Sequence, residues 1–164
     1  HNLLSAAQAR NESETQYVAL QHLVKLEPQN LEYRTGLGVW AYRFQQYQEA
    51  VDNLAYAYRQ DPHFKENASN CFALGYSLLV TRHPKESLDL LMQAVKIDAQ
   101  IPQYWYALGD ARLDLGQPVE ALECYYTVLK LDASQPEEVK SKITMLEQSL
   151  HQVPQKTKLP RSHS

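Results

Sequence analysis

Three glycines, Gly38, Gly75 and Gly109, each follow a leucine, and each is followed twelve residues later by a small residue, Ala50, Ser87 and Ala121. An interval that recurs in this way means that one supersecondary unit has been copied along the chain. Glycine or alanine at a helix crossing lets two backbones approach with no side chain between them, and large residues four apart fill the flanks. Each helix pair leaves one apolar face open, and the next pair covers it. The expectation is an all-α stack of antiparallel helix pairs. No stretch sustains the period-two alternation that would argue for a sheet.

The second copy reads Leu37-Gly38, Ala50, Leu54, Ala57 and closes at Pro62. The third reads Leu74-Gly75, Ser87, Leu91, Ala94, with Ala99 where the closing proline would stand. The fourth reads Trp105-x-x-Leu108-Gly109-x-x-Arg112, then Ala121-x-x-x-Tyr125. The glycines are separated by 37 residues and then by 34. Since the glycine-to-small interval is unchanged, the three extra residues fall between Asp61 and Asn70, where they lengthen a loop or add most of a turn to the next helix. An earlier, partial copy is read from Leu20, Leu23, Leu26 and Pro28, with a short first helix at about residues 2–10.

The last repeat needs a lid. Val139, Ile143, Leu146 and Leu150 recur at spacings of three and four, one apolar stripe on a helix from Pro136 to Gln152, and Glu137, Glu138, Lys140, Lys142 and Glu147 fall mostly off it. This helix reads as a cap, with dimerisation as its alternative use. Local signals agree with the helix limits. Pro84, Pro118 and Pro136 stand where helices start, Asn30 suits an N-cap, with Ser134 or Gln135 before the last start, and Gly116 suits a left-handed residue after a helix end.

The spacing of Trp105, Leu108, Gly109, Ala121 and Tyr125 resembles the tetratricopeptide repeat (TPR) family, with Arg112 at a place where that family usually has Tyr. The resemblance implies a TPR superhelix of antiparallel helix pairs with a C-terminal capping helix. The expected organisation is one TPR domain over residues 1–153: a partial repeat 1–29, repeats 30–63, 64–100 and 101–134, and a capping helix 135–152. Residues 154–164 read as a disordered basic tail.

Composition excludes several classes of function. Net charge is −3, and since Lys156, Lys158 and Arg161 lie in a tail without acids, residues 1–153 carry −6. That argues against binding a nucleic-acid backbone, which needs clustered positive charge. No apolar run approaches the length that spans a bilayer, so no membrane insertion is expected. Cys71 and Cys124 read as buried free thiols, which fits a reducing, cytoplasmic setting. The six histidines are dispersed, with none paired at helical spacing, and no metal site is expected. No HExxH, CxxC, GxGxxG, GxSxG or P-loop pattern is present, so the reading is not an enzyme and needs no cofactor. Asp110 and Asp114 share a helix face, where a solvated or ligand-facing acidic patch is favoured over acid–base chemistry. Asn11-x-Ser13 and Asn67-x-Ser69 match the glycosylation pattern but carry no weight in a cytoplasmic chain.

In TPR arrays the first helix of each pair lines the concave surface. Carried onto this chain, the family's ligand-facing positions are Thr35, Val39 and Tyr42 in the second copy, Phe72, Tyr76 and Leu79 in the third, and Tyr106, Asp110 and Leu113 in the fourth. This surface is expected to be aromatic and aliphatic with few charges. It lacks the Lys, Asn and Arg with which one subfamily clamps a chain-terminal carboxylate, so that use is rejected. Phe72 and Leu79 have an alternative role, packing between neighbouring repeats. Eleven tyrosines, many for 164 residues, suit contact surfaces.

The segments Tyr33-Arg34-Thr35-Gly36-Leu37-Gly38 and Gln46-Tyr47-Gln48-Glu49-Ala50 are similar to TPR chaperones of type III secretion translocators. The function so implied is a protein-interaction module, a small bacterial chaperone or adaptor that binds an extended apolar segment of a protein or peptide partner. The rival is a structural scaffold subunit that uses the convex face or the cap helix. The incomplete first repeat leaves a face on which a homodimer can form.

Overall fold

The computed structural model describes residues 2–152, with side chains described from Arg10 to His151. Eight α-helices follow one another: α1 (Asn2–Leu26), α2 (Leu31–Arg43), α3 (Tyr47–Gln60), α4 (Ala68–Val80), α5 (Pro84–Ile97), α6 (Pro102–Asp114), α7 (Pro118–Leu131) and α8 (Glu137–Gln152). No strand occurs among the described residues. Helices α2–α3, α4–α5 and α6–α7 form three hairpins. The basic tail expected at 154–164 lies outside the described residues.

The three Leu-Gly glycines sit where the two helices of a hairpin cross. A Cβ on Gly38 would lie 2.4 Å from Cγ of Leu54, on Gly75 3.0 Å from Cγ of Leu91, and on Gly109 2.7 Å from Cε1 of Tyr125. Each contact joins a glycine to the large residue sixteen positions on, one turn past the small residue of the motif. In the middle hairpin that small residue is serine, and Ser87 Oγ donates to the carbonyl of Gly75 at 2.7 Å. The buried hydroxyl is thereby satisfied inside the crossing it helps to narrow.

The turns repeat as faithfully as the crossings. The second residue after each first helix is left-handed: Gln45 (φ 60°), Arg82 (φ 68°) and Gly116 (φ 72°). The next amide bonds back to the carbonyl five residues earlier, Gln46 to Ala41, His83 to Leu78 and Gln117 to Arg112. These are three Schellman stops. At the other end of each hairpin an aspartate side chain closes the exit. Asp61, Asp98 and Asp132 Oδ1 accept from the amides of His63, Gln100 and Ser134 at 2.9, 3.1 and 2.9 Å. Asn30 and Asn67 cap α2 and α4 through the amides of Tyr33 and Asn70, and Pro84, Pro102 and Pro118 begin α5, α6 and α7.

The three extra residues form neither a plain loop nor an extension of α4. They fold into a 3-10 turn, Phe64–Glu66, which drops Phe64 into the core against Tyr58 and above Cys71. The N-terminal expectation needs correction. In place of a short helix at 2–10 followed by a second one, residues 2–26 form one helix. The reason is local: this stretch contains no glycine or proline, and good helix formers dominate it. Helix α1 therefore packs on α2 as a lone second helix. Tyr17 packs on the ring of Phe44 and donates to Glu49, and Gln21 also reaches Glu49.

At the other end α8 covers α7. Val139 and Ile143 are buried against Ala121, Tyr125 and Val128, with Leu146 alongside. The apolar stripe thus closes the stack as a lid. Both cysteines are free and buried, and burial raises their thiol pKa values, that of Cys124 to about 11.

Candidate functional site

First helices touch one another along the stack, α2 with α4 and α4 with α6, whereas α3, α5 and α7 do not meet. The first helices therefore line the inside of the curve and the second helices the outside. The inner face divides into two regions.

The region nearer the N-terminus is an aromatic cluster. Tyr42 meets Phe72 and Tyr76 edge-on, with centroids 5.9 Å apart in each case. Phe72 and Tyr76 lie 5.7 Å apart, and Tyr47, the first residue of α3, closes the ring beside Tyr42 and Tyr76. Edge-to-face pairs at these separations add a little to the area they bury. Burial, then the neighbouring phenols Tyr76 and Tyr47, raise the pKa of Tyr42. Tyr104 lies behind Phe72 at 4.6 Å.

The other region is polar. Asp110 on α6 accepts from Tyr125 Oη at 2.5 Å and from Lys142 Nζ of α8 at 2.6 Å. The Lys142 ammonium lies 4.3 Å from the ring centroid of Tyr106, whose hydroxyl donates to Glu138. Burial alone would lower the Lys142 pKa, but the hydrogen bonds and charge of Asp110 and Tyr106 outweigh it, and the pKa is raised. Tyr125 is pushed up by burial and then by its bond to Asp110. Lys142 is thus a cation held on the groove by the cap helix.

Between the two regions lies an open cavity of about 260 Å³, lined by Tyr76, Leu79, Val80, Asp110, Leu113, Asp114 and Lys142. Four of the nine residues assigned to the inner face from the sequence, Tyr76, Leu79, Asp110 and Leu113, meet here. Leu113 and Val80 are open to solvent at 36% and 42% exposure. Leu79 is a wall, only 8% exposed. Tyr42 joins through the aromatic cluster.

The remaining residues fall elsewhere. Phe72 is a core residue at 9% exposure, because Tyr42, Tyr76 and Tyr104 surround its ring, and it supports the surface from beneath. Val39 is half-buried against the same core. Thr35 lines a separate shallow cavity near the start of α2 with Leu31, Glu32, Gly36 and Asp61. Tyr106 belongs to the contact between α6 and the cap and borders a third cavity with Pro136 and Glu138.

Sequence reasoning missed Tyr47, Val80 and Lys142. Lys142 flanks Ile143 on the buried stripe and lies four residues from Glu138, a pattern that also describes a solvated helix face. The expectation of an inner face with few charges therefore holds for α2 and α4 and fails beside α6. Among the described residues no cluster of His, Cys, Asp or Glu suits a metal ion, and no helix is long and apolar enough to cross a membrane.

Residues 72–136 match the family model of the tetratricopeptide repeat. No curated protein matches the chain. Among solved structures, the chain is similar to MamA, with 17% identity over 88% of this chain and 82% of the other at a TM-score of 0.71. It is also similar to YrrB, described as a TPR protein with an unusual peptide-binding site, with 22% identity over 93% of this chain and 75% of the other at a TM-score of 0.72. The first TPR of Spaghetti (RPAP3), bound to the HSP90 peptide SRMEEVD, is 20% identical over 75% of this chain and 94% of the other at a TM-score of 0.61. The fold is that of TPR solenoids.

Proposed function

We propose that the chain is a protein-interaction module that holds an extended, apolar-anchored segment of a partner along the inner faces of α2, α4 and α6. The observation that carries this reading is the open wall of Tyr76, Val80 and Leu113 beside a rigid aromatic cluster. Each large side chain buried there contributes about 1.5–3 kcal/mol before the cost of ordering the segment. The cluster is already packed, so its rings lose little freedom on binding. YrrB and RPAP3 are relatives in fold whose descriptions include a peptide site or a bound peptide, which supports the groove as the binding surface. The acidic character of SRMEEVD does not transfer, because Asp110, Asp114 and Glu138 outnumber Lys142 here.

The finer reading is a chaperone or adaptor that shields the partner's apolar segment, acting in the cytoplasm. The similarity of Tyr33–Gly38 and Gln46–Ala50 to secretion-translocator chaperones motivates it. A second reading, a scaffold subunit, draws on a cleft of about 480 Å³ on the outer side, between α3 and α5, with Val51, Ala55, Tyr58, Leu74, Leu78 and Leu90 in its lining.

Site-specific photocrosslinking separates the two. A benzophenone amino acid at Val80 or Leu113 is expected to capture a partner, and one at Val51 or Ala55 is not. Crosslinks confined to the outer positions would replace the groove reading with the scaffold. Tyr76→Ala is expected to lose binding with its thermal midpoint measured in parallel, and loss of fold without separable loss of binding counts against the groove.

A further inference from the structure

We propose that the cavity between α4, α6 and α8 is a subsite for a basic side chain of the bound segment, an arginine before a lysine. The proposal rests on the groove reading above and specifies the partner's chemistry at one position.

Three observations converge. First, the cavity joins apolar walls, Tyr76, Val80 and Leu113, to carboxylates at its edge, Asp110 and Asp114. That combination suits a side chain with an apolar stem and a cationic head. Second, the local charge is unbalanced. Lys142 is committed to Asp110, both bonds to that carboxylate fall on Oδ1, and Glu138 takes the hydroxyl of Tyr106. The Asp114 side chain has no hydrogen bond or ion pair among the described residues. At the cavity itself the two carboxylates Asp110 and Asp114 thus face one ammonium, an excess of one negative charge, which favours a cation and repels an acidic chain end.

Third, Asp114 is the last residue of α6. A negative charge at the carbonyl end of a helix opposes the helix dipole and is locally unfavourable, whereas a cation there is favourable. No side-chain hydrogen bond or ion pair among the described residues offsets that placement. A residue that breaks a local rule without an internal partner marks a site of use. The planar guanidinium stacks on an aromatic wall and forks onto carboxylates, which ranks arginine above lysine.

The test uses the full chain and a displayed library of random linear peptides. Selection on the wild-type chain is expected to enrich arginine or lysine close to an aromatic or leucine residue. In a synthetic peptide from that pool, arginine replaced by neutral citrulline is expected to bind about threefold more weakly, the scale of an exposed charge pair. Asp114→Asn should bring that ratio to about one, and Lys142→Met should raise it. Asp114 is exposed, so the Asn variant keeps the fold, and far-UV circular dichroism checks this. Peptides that bind with no basic preference, or a preference unchanged by Asp114→Asn, overturn the subsite and leave the groove standing. No peptide bound by the wild-type chain overturns both.

Discussion

The middle and last hairpins solve the same packing problem with different side chains. Gly75 lies against Leu91, and Gly109 lies against Tyr125 in the equivalent slot. Leucine only fills the space. The phenol fills it and then carries a hydroxyl through to Asp110, and so to Lys142 on the cap. The middle hairpin is thus held by hydrocarbon and by the internal bond from Ser87 to Gly75, while the last is wired to α8. The inner surface divides at the same place, aromatic on one side and charged on the other. A change of one residue in a repeated motif has turned a packing position into a junction.

The largest effects should come from filling the glycine crossings. The Cβ of Gly38→Ala would meet both the Leu54 side chain, at 2.4 Å, and its backbone nitrogen, at 3.1 Å, so two helices must move apart. A loss of about 3 kcal/mol is expected in denaturant unfolding. Gly109→Ala meets the Tyr125 ring at 2.7 Å and should lose about 2 kcal/mol. At Gly75 the contacts are 3.0–3.2 Å, and alanine's better helix propensity offsets about 1 kcal/mol, leaving a change within about 1 kcal/mol. A flat response across the three would break the idea that the crossings differ in how tightly they close.

Tyr125→Phe sharpens the comparison, because it converts the last hairpin to hydrocarbon packing without emptying the slot. It leaves Asp110 with Lys142 but removes the phenolic donor, and about 1–2 kcal/mol should be lost, with α8 loosening first in hydrogen exchange. Alkaline titration gives an independent reading. Tyr125 and Lys142 both have folded pKa values above their ordinary ones, so the folded state holds their protons more tightly than the unfolded chain does. The stability they contribute is complete below about pH 10 and falls as pH rises through the folded values. The cap should therefore melt before the middle hairpin above about pH 10, and Tyr125→Phe should weaken this order. Simultaneous melting of cap and middle would argue that the two ends are not wired differently.

How far these features can be read from the sequence depends on how local they are. The glycine crossings, the proline starts, the Asn30 cap and the left-handed Gly116 each follow from a few adjacent residues. So does the apolar stripe of α8, because its partner face is the open side of the last repeat. Lys142 was not legible, and for Phe72 the sequence left two roles open, facing a ligand or packing between repeats. A phenylalanine at an inner position becomes core only when Tyr42, Tyr76 and Tyr104 from three helices close around it. Lys142 turns inward only because Asp110 and Tyr106 lie opposite once α8 is seated. The long α1 was a different failure: the end of a repeat was visible in Leu20, Leu23 and Leu26, but the turn expected before it has no glycine or proline to make it.

The smallest effects test whether the hairpins are equivalent where they should be. The three Schellman stops have the same hydrogen bonds, yet only the last uses glycine. Gln45 and Arg82 are exposed, their side chains make no hydrogen bonds or ion pairs among the described residues, and they adopt φ of 60° and 68°. A left-handed L-residue costs about 1–2 kcal/mol, and glycine's extra freedom in the unfolded chain returns part of that on substitution. Gln45→Gly and Arg82→Gly should each stabilise by about 0.5–1 kcal/mol. Gly116→Ala should destabilise by about 1 kcal/mol, and this is a pure backbone effect, since nothing lies within 4 Å of the Cβ it would add. Thermal midpoints of the three variants, measured together, should move in opposite directions by similar amounts. If Gln45→Gly and Arg82→Gly instead lower stability, those side chains hold contacts across the turns, and the three stops are alike in geometry but not in energetics.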